Sequence, residues 1–213
     1  MTQTNQPEFG TPHLFDGELR LMEAAMASAQ GHNYLEFGLG GSTLAAIRAG
    51  FAQVVAVDTS LEWVAAARNH PEVAPRIADG SAALIHADIG PTRSWGFPAS
   101  RQQLDQWPDY IRAPWAEWAR RSALPDLVYV DGRFRVACCL SVALVMGSGE
   151  ASDGPGVRLL LHDVTEERPD YQRVFGFFDI VEHVNSLYLL QPKPRLDRAA
   201  LVARLLGQQF DPA

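Results

Sequence analysis

Leu35-Glu36-Phe37-Gly38-Leu39-Gly40-Gly41-Ser42-Thr43 is the stretch on which the fold turns. The apolar run Tyr34 to Phe37 reads as a short strand that the glycines break. Ser42 and Thr43 suit the first turn of a helix running toward Gly50. Glycines let the backbone turn sharply and approach a ligand closely, and the helix behind them offers free N–H groups. An ATP-type phosphate loop needs a Lys after its last Gly, and Ser42 stands there. A dinucleotide fingerprint needs a third Gly where this chain has Thr43. Glu36 would also face a pyrophosphate with like charge. The loop suits a ligand whose nearby group is cationic.

Outward from this loop, helix-like and strand-like segments alternate. Leu19, Met22, Met26 and Ala29 mark an amphipathic helix ending before Gly31. Val54 to Val57 is a strand stopping at Asp58, and Ser60 caps a helix from Leu61 to about Asn69. Leu84 to Ala87 stops at Asp88, and Leu127 to Val130 stops at Asp131. Residues 134–147 read as a helix apolar nearly all round, hence buried on a sheet. Val157 to Leu161 ends at His162-Asp163. Ile180 to Val184, the turn Asn185-Ser186 and Leu187 to Leu190 form a hairpin, and an amphipathic helix from about Asp197 to Leu206 follows. The expected fold is α/β: a doubly wound, mainly parallel seven-stranded sheet with an antiparallel terminal hairpin, one domain over residues 1–213.

Residues 90–124 depart from the alternation. Pro91, Pro98, Pro108 and Pro114 predict that no long helix or strand runs through them. Trp95, Trp107, Trp115 and Trp118 fall there, four of the chain's five tryptophans, and that much aromatic surface argues for order. Two readings stand: the tryptophans staple the insertion to its own domain, or they cover a substrate, with Trp95, Trp107 and Trp115 as candidate contacts.

Composition narrows the function classes. Hydrophobic residues are 47% and charged residues 20%, an ordinary globular balance. A formal net charge of -7 disfavours nucleic acid and anionic membranes as partners. No run approaches the ~18 apolar residues of a membrane span. The start of the chain lacks the pattern of a signal peptide. Cys138 and Cys139 are adjacent in an apolar run and read as reduced core residues. A cytoplasmic protein is expected, with a homo-oligomer left open.

Strand ends carry the remaining signal. Glu36, Asp58, Asp88, Asp131 and Asp163 lie at or near them, where an open parallel sheet binds its ligands. Each alone fits a turn or cap residue. Together they suggest a held ligand, and a cationic one such as S-adenosylmethionine suits Glu36. Glu36-x-Gly38-x-Gly40-Gly41-Ser42-Thr43, followed by Asp58, resembles the class I S-adenosylmethionine-dependent methyltransferases. The resemblance runs from the first helix through the terminal hairpin and leaves 90–124 outside the shared core. It implies that Gly38, Leu39 and Gly40, with Ser42 and Thr43, pass beneath the methionine part of S-adenosylmethionine. Glu36 would act on its amino group, directly or through water or the loop backbone. Asp58, 22 residues after Glu36, would take the ribose hydroxyls, with Thr59 beside it. Asp88 would take the adenine amino group, with the Ile89 backbone alongside.

The implied function is methyl transfer to a small-molecule acceptor at oxygen or nitrogen. Asp131, His162 and Asp163 are the candidate bases. Asp131 and Asp163 also resemble, in position, two metal-holding carboxylates of catechol-type O-methyltransferases. The third ligand of that set, an Asn, is Val164 here, so no metal is expected. Arg133 and Arg135 could bind a carboxylate or phosphate on the substrate, neutralise Asp131 or lie on the surface. A nicotinamide-dependent oxidoreductase and a catalytically silent S-adenosylmethionine-binding protein are the competing readings.

Overall fold

The computed structural model describes residues 9–29, 33–147 and 156–213. Its elements in chain order are α1 (Glu18–Ser28), β1 (Asn33–Phe37), α2 (Gly41–Arg48), β2 (Gln53–Asp58), α3 (Leu61–Arg68), α4 (Ala74–Ala78) and β3 (Ala82–His86). There follow α5 (Pro108–Arg121), β4 (Leu127–Val130), α6 (Arg135–Met146), β5 (Arg158–Leu161), β6 (Phe178–Val184), β7 (Leu187–Pro192) and α7 (Arg198–Gln208). The seven strands form one sheet in the order β3-β2-β1-β4-β5-β7-β6. The first five strands pair parallel, and β7 runs antiparallel to both β5 and β6. This is the expected doubly wound α/β sheet with its terminal hairpin. Gly31, where the first helix was expected to stop, lies outside the described residues; α1 ends at Ser28.

The strands read as continuous apolar runs because both faces are covered. Alternate residues point to opposite faces. Leu35, Phe37, Val128, Val130 and Leu159 join α5 and α6 in one apolar cluster. Tyr34, Val54, Ala56, Tyr129 and Leu160 join α1, α2 and α3 in the other. Phe37 is in register with Val57 and Val130, and Val130 with Leu161. The residues that follow, Gly38, Asp58, Asp131 and His162, are thereby delivered to one edge. Strand order reverses between β1 and β4, which opens a crevice there.

The loops after β1 and β4 touch at that crevice. Gly38 has φ +102°, and a Cβ on it would lie 2.3 Å from the Gly132 nitrogen. A Cβ on Gly132 would lie 2.0 Å from the Tyr110 hydroxyl. Only a pair of glycines permits this approach.

The expectation for residues 90–124 needs correction: α5 is a 14-residue helix within them. Pro108 sits in its first turn, where a missing N–H costs nothing. Pro114 forfeits one bond inside the helix, but it lies with Tyr110, Ile111 and Trp118 on the buried face. Burial of that face outweighs the lost bond. Residues 90–107 contain short 3-10 turns at Ser94–Gly96 and Leu104–Gln106 and an antiparallel bridge between Thr92 and Pro98. Among the described residues, no helix is long and apolar enough to cross a membrane.

Candidate functional site

Glu36 is fully buried beneath the glycine loop. The Ser42 hydroxyl donates to one of its oxygens, and the Thr43 hydroxyl to the other at 2.5 Å. Thr43 Oγ1 also accepts from the Gly40 N–H at 3.3 Å. Thr43, standing where a dinucleotide loop would have glycine, therefore closes this loop through its side chain. Burial pushes the Glu36 carboxyl up to about 8, against the pull of the Ser42 and Thr43 hydroxyls. Gly38, Leu39, Gly40, Gly41 and Ser42 line a cavity of about 1330 Å³, whereas Glu36 lies behind them. Any influence of Glu36 on a ligand passes through the loop.

Asp58 lines the same cavity. Its Oδ2 accepts from the Leu39 N–H at 3.1 Å and its Oδ1 from the Ser60 N–H at 2.7 Å. Burial raises its carboxyl to about 6 in spite of these bonds. Thr59 is buried next to it, with its hydroxyl 3.4 Å from the Gly96 carbonyl. Asp88 lines the cavity and accepts from the Gly90 N–H at 2.9 Å. Ile89 is buried in the core behind it. Trp63 and His86 complete this end of the cavity.

The other end carries an extended charge network. His162 Nδ1 lies 3.1 Å from Asp131 Oδ1, and its Nε2 lies 3.1 Å from Glu18 Oε2. Burial alone would lower the ring's pKa, but the hydrogen bond and charge of Asp131, with Asp163 and Glu18, raise it. Both ring nitrogens face carboxylate oxygens, an arrangement that favours the protonated ring. Arg135 Nη2 lies 3.0 Å from both Asp131 Oδ1 and Asp163 Oδ2. Arg168 reaches Asp163 Oδ2 at 2.5 Å. Burial would raise the Asp163 carboxyl, but Arg135, His162 and Arg168 hold it below its usual range. Of the three candidate bases, Asp131 is the carboxylate that both lines the cavity and sits against the His162 ring.

Glu18 escaped the sequence reading. Its residue is wholly buried, and it accepts from the Ser186 N–H and hydroxyl at 2.9 and 2.8 Å. An acidic residue in a first helical turn looks like a partner for the helix dipole, so no signal distinguished it. The segment Thr11, Pro12, His13 and Phe15, which walls the cavity, was missed too. A Cβ on Gly41 would lie 2.3 Å from the Thr11 carbonyl carbon, so Gly41 is the residue that admits this wall.

The tryptophans separate by environment. Trp95 is 86% exposed and lines the cavity mouth. Trp107 is 2% exposed and packs on Phe134, with ring centroids 5.6 Å apart. Trp115 is packed against the core, and its Nε1 donates to Ser141 Oγ at 2.9 Å. Neither Trp107 nor Trp115 is among the cavity-lining residues. Both rings fit the stapling reading: Trp107, just before α5, packs on Phe134, and Trp115 on α5 bonds Ser141 of α6.

Asp131, His162 and Asp163 could each offer a ligand atom, all within 4.8 Å of one another. The set does not fit a divalent metal, because the Arg135 guanidinium already bridges the two carboxylates. Arg135 also donates to the carbonyls of Gly132, His162 and Asp131 at 2.9, 2.7 and 2.9 Å. A fixed side-chain cation takes the position that a bridging ion would need.

No protein-family model matches the chain, and no curated protein matches it. Among solved structures it is similar to a methyltransferase-like protein from Silicibacter pomeroyi. That match has 26% identity and TM-score 0.71 and covers 96% of this chain and 100% of that one. A candidate tRNA (m1A22) methyltransferase from Streptococcus pneumoniae is 14% identical with TM-score 0.42, over 89% of this chain and 76% of that one. The second likeness is too distant to carry an argument. Sheet order, terminal hairpin and the first of these likenesses agree: the chain has the Rossmann-like fold of the class I S-adenosylmethionine-dependent methyltransferases.

Proposed function

We propose that this protein binds S-adenosylmethionine at the carboxyl edge of its sheet and methylates a small-molecule acceptor on oxygen or nitrogen. One observation carries the reading. A single cavity joins a glycine loop backed by Glu36 and a strand-end Asp58 to the cluster of Asp131, His162 and Arg133. Gly38 and Gly40 would pass under the methionine part. Asp58 would accept from the ribose hydroxyls, with Thr59 beside it, and Asp88 with Ile89 would flank the adenine.

When bound, S-adenosylmethionine supplies a methyl group already activated by its sulfonium, so the chain has only to align the acceptor and exclude water. Asp131 takes the acceptor's proton as the nucleophile attacks. His162, clamped between Asp131 and Glu18, fixes the orientation of that carboxylate. Trp95 covers the mouth of the cavity.

Calorimetric titration with S-adenosylhomocysteine, beside NADH and NADPH, tests the reading. Micromolar binding of S-adenosylhomocysteine alone is expected. Binding of a nicotinamide cofactor in its place would overturn it, and product formation in an acceptor screen separates an active enzyme from a silent binder.

A further inference from the structure

The cations at the Asp131 end of the cavity are not all matched by anions. Arg135 lies between Asp131 and Asp163, and Arg168 pairs with Asp163. His162 lies between Glu18 and Asp131, 3.1 Å from an oxygen of each. Arg133 is left over. Its residue is 7% exposed, and among the described residues no carboxylate lies within ion-pair distance of it. Its Nε is buried with no hydrogen-bond partner. Nη1 reaches the Pro212 carbonyl only at 3.5 Å. The guanidinium lies 4.1 Å from the centroid of the Phe97 ring, an aromatic contact that holds its plane but brings no counter-charge.

A guanidinium does not discharge in a protein, so burial does not relieve it as it would a lysine. Burial and the neighbouring charges of Arg135 and Arg168 both work against the cation. Arg133 nevertheless lines the cavity, and Arg93 and Arg168 line it too. Arg93 bonds a carbonyl, that of Pro98, at 3.3 Å. A buried guanidinium without a carboxylate partner, on a residue that lines a cavity, is suited to recognise a planar or tetrahedral oxyanion.

We propose that Arg133, assisted by Arg93 and Arg168, binds an oxyanion on the acceptor, a carboxylate or a phosphate monoester, so that the molecule methylated is acidic. The proposal rests on the methyltransferase reading for the word acceptor alone; the anion site stands on the geometry. Phe15, Trp95, Phe97 and Tyr110 line the same cavity, which suits an aromatic body behind the charged group.

The test is calorimetric titration of the full chain with benzoate, phenyl phosphate and neutral benzamide, each with and without saturating S-adenosylhomocysteine. Benzoate or phenyl phosphate is expected to bind while benzamide does not, and the stronger of the two acids names the oxyanion. Arg133→Met should weaken that binding about tenfold or more, the loss of a charge-assisted pair, and leave S-adenosylhomocysteine affinity unchanged. Arg168→Gln, at a more exposed position, should weaken it severalfold and serves if Arg133→Met does not fold. Equal binding of benzamide, or no binding of either acid at millimolar concentration, overturns the proposal. So does a loss of S-adenosylhomocysteine affinity in Arg133→Met, which would place the cofactor's own carboxylate on Arg133. Absence of S-adenosylhomocysteine binding in the unsubstituted chain would overturn the methyltransferase reading and leave the anion titrations to decide the site by themselves.

Discussion

Glu36 is the residue whose chemistry is most displaced from its sequence appearance. In the folded protein its carboxyl is raised from 4.5 to about 8, because burial disfavours the charged form. The folded chain therefore keeps a proton between those values that the unfolded chain has already lost. Stability is greatest below pH 4.5 as far as this group is concerned, and it falls as pH rises toward 8. Glu36→Gln should flatten that decline in urea unfolding measured across the window; an unaltered slope would mean that another group sets it. An ammonium on a bound ligand would pull the same carboxyl down. Titration of S-adenosylhomocysteine at pH 7 should then release up to about one proton, read as a dependence of the heat on buffer ionisation enthalpy. Glu36→Gln should abolish the release. Asp58 offers a second residue-scale test. Asp58→Ala removes charge-assisted acceptors and should cost about 1–3 kcal/mol of S-adenosylhomocysteine affinity by calorimetry. Unchanged affinity would take Asp58 out of the site.

Elements differ in how much of them the sequence reveals. The strands of the parallel sheet were legible because burial on both faces writes them as Val54-Val55-Ala56-Val57 or Leu127-Val128-Tyr129-Val130, with no competing periodicity. The hairpin was legible from its polar turn at Asn185-Ser186. Of the candidate site, the glycine loop and the strand-end acids were visible, since strand ends mark the edge where they gather. Helix α5 was hidden by its prolines, although Pro108 occupies the one helical turn that tolerates it and Pro114 is held by packing. Glu18 and the wall at residues 11–15 could not be read, because only the tertiary fold brings them to His162 and Gly41. The environment of α5 predicts that Trp107→Ala opens a core cavity. A loss of about 3–5 kcal/mol in urea unfolding is expected, with S-adenosylhomocysteine affinity unaltered. Normal stability with impaired acceptor turnover would favour the covering role.

At the scale of the whole molecule, a chain of net charge -7 gathers guanidinium groups at one end of its cavity and pairs Arg135 and Arg168, but not Arg133, with strand-end carboxylates. This arrangement has a consequence for metals. Arg135 stands between Asp131 and Asp163 with side-chain exposure of 3%, tied to both carboxylates and to backbone carbonyls. A divalent ion would have to evict a buried guanidinium and leave those carbonyls without donors, at a cost of several kcal/mol by the usual penalty for stranded buried groups, about 1–3 kcal/mol each. EDTA should therefore leave the melting temperature, S-adenosylhomocysteine affinity and any methyl transfer of the unsubstituted chain unchanged, and added magnesium or manganese should not raise its melting temperature. Arg135→Met reverses the situation, since it removes the cation that bridges the two carboxylates and leaves only His162 beside Asp131 and Arg168 beside Asp163. That variant should melt well below the parent, and millimolar magnesium or manganese should recover part of the loss. Activity of the unsubstituted chain that disappears on chelation and returns with magnesium would show that the guanidinium yields its place, and the assignment of Arg135 as the resident cation would fall.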